Sequence, residues 1–161
     1  MSAKGTRAID ELRQLGLPHE VHEYAVHAAT RRDHRTKPAY GLEAATALGV
    51  DSRRVFKTLL AELDGQLVVA IVPVADELDL KRLAEALGGR RATMAEPAAA
   101  ERVIGYVVRG ISPLSQRRSH PTVLDVSAGD HDTILVSAGR RGLQIELRPG
   151  DLTSITSATV A

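Results

Sequence analysis

The sequence predicts an α+β fold, a mixed, partly closed, barrel-like β-sheet surrounded by helices. Three observations carry this. Two long apolar segments, VFKTLLAEL and QLVVAIVPV, are joined at Asp64-Gly65, and Asp-Gly between apolar runs marks a tight hairpin. In the second half, short β segments alternate with turns: YVV, TVLDV, TILVS and LQIEL. Helical spacing is concentrated in the first half and the middle, without the regular βαβ alternation of a parallel sheet.

The elements follow in order. From about Thr6 to Leu15, the residues Ala8, Ile9, Leu12 and Leu15 recur at helical spacing, and Gly16 stands where such a helix stops. His19 to Tyr24 reads as a short strand. Residues 25–37, AVHAATRRDHRTK, are polar and basic, end at Pro38, and read as an exposed loop. A helix is predicted from about Leu42 to Leu48, stopped by Gly49. After the hairpin, Asp79 caps a helix that carries Leu80, Leu83, Ala84 and Leu87 on one face and closes at Gly88-Gly89. An Ala-rich helix begins near Pro97, and a last helical turn near Asp151. No internal repeat or linker divides the chain, so residues 1–161 are expected to form a single domain.

Composition narrows the function. Of 161 residues, 43% are hydrophobic and 25% charged, ordinary for a globular domain with its own core. Only 2% are aromatic, which leaves little for base stacking, so a nucleic-acid partner would be held through phosphates and backbone shape. The net charge is +1, so any RNA contact must come from local basic clusters. The absence of cysteine excludes disulfides, thiolate catalysis and Cys-ligated zinc. The N-terminus has no apolar signal region and no apolar run is long enough to span a bilayer; these features point to the cytoplasm and to no membrane partner.

Six histidines raise the question of a metal. His19 and His22 are three apart, so on a strand they face opposite sides and cannot share an ion. His27 and His34 fall in the basic loop. Solvated surface histidines are the better reading, and no metal or cofactor is expected. The pairs Arg31-Arg32, Arg53-Arg54, Arg90-Arg91, Arg117-Arg118 and Arg140-Arg141 are, taken singly, solvated charge. Only convergence on one face would make them an RNA footprint.

Lys57 is more specific. In VFKTLLAEL it shares a strand face with Val55, Leu59, Ala61 and Leu63 and is the only charge there. Such a lysine is either an edge-strand gatekeeper or a functional amine set among apolar neighbours. The apolar hairpin partner favours a paired, central strand. The loop Gly110-Ile111-Ser112-Pro113 can present backbone N–H groups to a developing oxyanion, and reads equally well as a plain turn. A second Gly-bearing turn, 137–142, lacks the spacing of a P-loop or dinucleotide fingerprint.

In this order and spacing, VFKTLL, VVAIVPVADELDLKRLAEALG, GYVVRGISPLSQRR and VSAGRRGLQIEL closely resemble the YbaK/EbsC family, relatives of the editing domain of bacterial prolyl-tRNA synthetase. The resemblance runs from about Thr6 to Val160. It implies a free-standing trans-editing deacylase that binds the 3′ end of a mischarged tRNA, with Cys-tRNA(Pro) the default substrate, no cofactor, no DNA, and prolyl-tRNA synthetase as a further partner. It carries the family lysine to Lys57, the pocket tyrosine to Tyr24 and the GXXP loop to Gly110, Ile111, Ser112 and Pro113. Lys57, Gly110 and Ser112 are then the expected catalytic residues. Tyr24, Phe56, Thr58, Ile111, Pro113, Ser137, Gly139 and Gln144 are the expected substrate-binding set. In the cysteine-specific subgroup the resemblance implies that the substrate's own thiol attacks the ester, which explains the lack of an evident catalytic Ser, Cys or His.

The chain departs from the family pattern at three single positions, and its segment before the second helix is longer and more basic than usual. Arg109 and Ala138 stand where glycines are usual, and Gln144 where an aspartate usually sits. Gln144 can accept a hydrogen bond but carries no charge. Altered amino-acid specificity, or a site that holds an aminoacyl-tRNA end or a synthetase without turnover, is the alternative.

Overall fold

The computed structural model describes residues 5–25, 40–106, 110–117 and 119–161. Most of the predicted basic loop lies outside these residues, as do Arg109, Arg118 and the last two residues of the predicted YVV strand.

Helix α1 spans Arg7–Leu15. The Thr6 hydroxyl accepts from the Ile9 N–H, and Gly16 ends the helix in the left-handed conformation that its missing Cβ permits. Ala8, Ile9 and Leu12 of its apolar stripe are buried, while Leu15 is left exposed. Strand β1 is Glu20–Glu23, and α2, Tyr40–Leu48, starts two residues before the predicted Leu42. Strands β2 (Phe56–Leu63) and β3 (Gln66–Pro73) form the predicted hairpin. Asp64 and Gly65 both take positive φ, +51° and +86°, matching the right-handed twist of the paired strands. In α3 (Leu80–Ala86) the Asp79 carboxylate accepts from the Arg82 N–H, as its capping position predicts.

The later elements differ in detail. Strand β4 (Ala92–Met94) is too short to show a period in sequence, and α4 (Pro97–Ile104) opens on its proline. Strand β5 is only Thr122–Leu124: the Asp125 N–H still reaches the Ile71 carbonyl of β3, while its carboxylate accepts from the Ser127 N–H and caps a 3-10 turn. Strands β6 (Ile134–Ser137) and β7 (Leu143–Leu147) match the prediction. Helix α5 runs Pro149–Thr156, two residues ahead of the predicted Asp151, since proline suits the first helical position. Strand β8, Thr159–Val160, closes the chain.

The strands form two sheets, ordered β1-β7-β6 and β4-β2-β3-β5-β8. The first is antiparallel; in the second, β3-β5 and β5-β8 are parallel. One parallel bridge, Val55 to Leu135, joins the sheets, and no closed barrel forms among the described residues. This is the mixed, incompletely closed architecture the sequence predicts.

Phe56, Leu60, Val69 and Ile71 of the hairpin pack with Val136, Leu143 and Ile145 into the main core, beneath residues of α1, α4 and α5. The other face of β2 meets two smaller apolar groups. Val55 packs with Ala44 and Ala45 of α2 and with Leu135, while Ala61 and Leu63 pack with Leu83 and Ala84 of α3. Lys57 and Leu59 lie between these patches on that face. No helix among the described residues is long and apolar enough to cross a membrane.

Candidate active site

Strand β2 is an inner strand, which overturns the gatekeeper reading of Lys57. One of its edges pairs with β3 along its whole length, placing Lys57 opposite Val72. Its other edge is shared, with β6 at Val55 and β4 at Ala61–Leu63. Lys57 sits in the fork where β6 and β4 part. It is half-buried, and its ammonium lies 3.4 Å from the Val74 carbonyl oxygen.

The register then assembles a row. Two residues beyond the Val55–Leu135 bridge stand Lys57 on β2 and Ser137 on β6. Ser137 pairs with Gln144 of β7, and Gln144 pairs with His22 of β1. Directly opposed residues share a sheet face, so these side chains project to the side covered by α2. Tyr24 follows at the end of β1, where its N–H donates to the Gly142 carbonyl. Its ring packs against the Val55–Leu135 cluster.

Burial pushes the Tyr24 phenol above its ordinary pKa, opposed by hydrogen bonds from the Gly142 backbone and the Gln144 side chain. The Gln144 carbonyl oxygen is buried and meets no donor among the described residues. A buried acceptor without a partner costs about 1–3 kcal/mol, and an incoming ammonium or hydroxyl would relieve that cost.

The turn 137–142 holds the GXXP loop. A Cβ on Gly110 would lie 2.9 Å from Arg140 Cα, so the loop backbone touches the turn backbone and only glycine fits. The Gly139 N–H donates to the Ser137 hydroxyl, and a Cβ on Gly139 would meet the Tyr106 ring at 2.7 Å. Tyr106 in turn donates to the Leu114 carbonyl at 2.7 Å. Ile111, Ser112 and Pro113 are buried, and the Ser112 hydroxyl accepts from the Leu114 N–H. These side chains brace the loop, which leaves its backbone as the part able to address a ligand.

The structure therefore groups Tyr24, Lys57, Ser137, Gly139 and Gln144 around one region, with Gly110 against its rim. It places Phe56 and Thr58 on the opposite face of β2: Phe56 is 2% exposed in the main core, and the buried Thr58 hydroxyl has no partner among the described residues. Ala138 is fully buried in that core as well, so its methyl group does not fill the pocket side.

Two networks were not legible in the sequence. Arg141 pairs with Glu43 of α2 at 3.1 Å, both side chains largely buried, and this ties the turn to the helix above the site. Next to His22, Glu146 accepts from Thr133 and Arg54 on one oxygen and meets His22 Nε2 at 2.8 Å on the other. Thr133 chiefly, with His22 and Arg54, holds the Glu146 carboxyl below its ordinary pKa. With Glu20 these two residues gather three ligand-type groups within 4.8 Å, but Glu146 is already engaged by Arg54 and Thr133. The partners come from strands far apart in sequence, and no local motif announces them.

A cavity of about 410 Å³ opens on the same face of the sheet beyond Val72, between β3, β5 and α3. Its rim carries Asp76, Glu77, Asp79 and Asp125 against Arg82, a charge balance that repels phosphate.

Residues 36–155 match the model of the aminoacyl-tRNA editing domain. The chain is 35% identical over 158 residues to EbsC of Enterococcus faecalis, whose name proposes a Cys-tRNA(Pro)/Cys-tRNA(Cys) deacylase; the match covers 97% of this chain and 91% of EbsC. It is 29% identical over 119 residues to the uncharacterised protein YwhH of Bacillus subtilis, covering 73% of this chain and 75% of YwhH. Among solved structures, one described as a proposed trans-editing enzyme for prolyl-tRNA synthetase superposes with a TM-score of 0.81 at 23% identity, covering 100% of this chain and 96% of that one. The chain belongs to the aminoacyl-tRNA editing domain family.

Proposed function

We propose that this protein is a trans-editing deacylase that removes the amino acid from mischarged tRNA, with Cys-tRNA(Pro) as the first substrate to test. The observation that carries the reading is the row Lys57–Ser137–Gln144, flanked by Tyr24 and by the Gly110 loop. It offers one amine, one buried carbonyl oxygen with no donor among the described residues, and a loop that addresses a ligand through its backbone.

An aminoacyl ester needs little covalent help. In this reading Lys57 holds the terminal ribose or phosphate and stabilises charge at the ester. Backbone N–H groups of the Gly110 loop polarise the carbonyl, and Gln144 receives the substrate ammonium. With cysteine, the substrate sulfur forms a bond to its own carbonyl carbon, the ester C–O bond breaks, and the ribose oxygen leaves with the thiol proton. With other amino acids, water attacks instead. The burial of Ala138 on the core side supports a pocket left open to an aminoacyl group, and so favours turnover over binding alone.

The test is release of amino acid from a panel of mischarged tRNAs by wild type and Lys57→Ala. Cysteine release from Cys-tRNA(Pro), lost in the variant, is the expected result. A folded wild type inactive across the panel overturns the reading. Co-elution with prolyl-tRNA synthetase tests the synthetase as a partner.

A further inference from the structure

Among the paired arginines, Arg117 belongs to a cluster assembled from three separate segments. Helix α4 ends at Gly105, and two guanidiniums converge there. A Cβ on Gly105 would lie 2.9 Å from Arg117 Nε and 3.0 Å from Arg7 Nη2. Arg7 donates to the Gly105 carbonyl at 3.0 Å, and Arg117 donates to the Arg102 carbonyl at 3.1 Å. Arg102 itself stands on the same last turn. All three arginines are exposed. The carbonyl end of α4 stabilises the cations and orients them. Each guanidinium has five N–H donors, so most remain for a ligand. Among the described residues no ion pair joins any of the three to a carboxylate. Nearby Glu11 is turned to the N–H and hydroxyl of Ser115.

The cluster is linked to the candidate site through one aromatic ring. Arg7 lies over the face of Tyr106, 4.7 Å from its centroid, and the same ring packs against Gly139 of the site turn. Arg117 closes the segment that begins with the GXXP loop, its N–H donating to the Ile104 carbonyl. The arginines and the turn that holds Gly110 therefore meet on one ring, Tyr106.

We infer that Arg7, Arg102 and Arg117 form a phosphate-binding surface that holds the backbone of the tRNA acceptor arm while its 3′ end occupies the pocket. This rests on the deacylase reading for the identity of the RNA. The chemistry fits a polyphosphate backbone: arginine forks match phosphate oxygens. The chain's near-neutral net charge makes a local cluster of three cations the means of holding RNA. The acidic rim of the cavity beyond Val72 makes that surface unsuited to phosphate.

The test is binding of an uncharged, fluorescently labelled acceptor-stem minihelix ending in CCA, measured against salt concentration. It needs no catalysis. Wild type is compared with R7Q/R102Q/R117Q and with R7K/R102K/R117K, each checked for folding by circular dichroism and Tm. The glutamine variant is expected to bind about tenfold or more weakly, with a log-log salt slope shallower by about two to three. The lysine variant, which keeps the charges, is expected to retain most of the slope. Equal affinity and slope in wild type and a folded glutamine variant overturn the proposal, as does a wild type that binds no minihelix. Displacement of the minihelix by polyglutamate as readily as by tRNA reassigns the surface to an acidic protein and overturns the RNA assignment. If binding falls as expected but no mischarged tRNA is deacylated, the surface stands and the deacylase reading fails.

Discussion

Gln144 on β7 stands directly opposite Ser137 on β6, and its buried carbonyl oxygen meets no donor among the described residues. The amide thus presents a buried acceptor on the sheet face that carries Lys57 and Ser137. In a site meant for an amino acid, that oxygen is the natural receiver of the ammonium group. Gln144→Asp replaces a neutral acceptor with a charged one, and charge-assisted hydrogen bonds are roughly twice as strong. Deacylation kcat/KM is expected to rise about three- to tenfold, read as initial rates on the preferred mischarged tRNA. An unchanged or lower rate in a folded variant removes Gln144 from ammonium recognition.

Lys57→Ala and Lys57→Met test the amine separately from the strand. Lys57→Met keeps an apolar stem on the strand face, so its Tm should change little, while Lys57→Ala also loses the packing of that stem. Deacylation should fall by about 100-fold or more, in line with about 2.7–4 kcal/mol for loss of one group that stabilises developing charge. A residual rate within threefold of wild type assigns Lys57 a structural role only.

Gly110→Ala places a methyl group 2.9 Å from Arg140 Cα, a backbone atom that cannot swing aside. The GXXP loop must lift off the 137–142 turn. The expected cost is about 1–3 kcal/mol in denaturant unfolding, with loss of activity beyond what the unfolded fraction accounts for. Activity that merely tracks the folded fraction denies the loop a part in catalysis.

Glu43→Gln leaves Arg141 largely buried without its carboxylate partner. Breaking one side of a buried pair typically costs about 3–5 kcal/mol. Urea unfolding of the variant is expected to shift by about that amount. A shift under about 1 kcal/mol means that the turn and α2 are held together by other contacts.

Glu146 gives a pH signature. Its carboxyl is held below the ordinary value of 4.5 by Thr133, His22 and Arg54. A pKa depressed in the folded state means the stabilisation is complete above the unfolded value and disappears as pH falls through the folded value. Wild-type Tm is therefore expected to drop as pH falls through and below the ordinary value of 4.5. Glu146→Gln should start from a lower Tm at neutral pH and lose less over that window. Parallel curves for the two proteins would show that the network adds nothing to stability in acid.

Much of this could be read in the chain itself. The hairpin was fixed by Asp64-Gly65, the first and third helices by Thr6 and Asp79 at their caps, and the oddity of Lys57 by the apolar residues two positions away on either side. These are local signals, in which a period, a cap or a turn residue acts within a few positions. The tertiary structure decided what local signals cannot carry. It made β2 an inner strand, set Lys57 in the fork between β6 and β4, and turned Phe56 and Thr58 to the far side. It joined Arg141 to Glu43, Glu146 to Arg54, and Arg7 to the ring of Tyr106, residues roughly a hundred positions apart. Sequence spacing says which face of a strand a residue shares, but strand order and register decide what stands beside it, and those are set by long-range packing of the whole core.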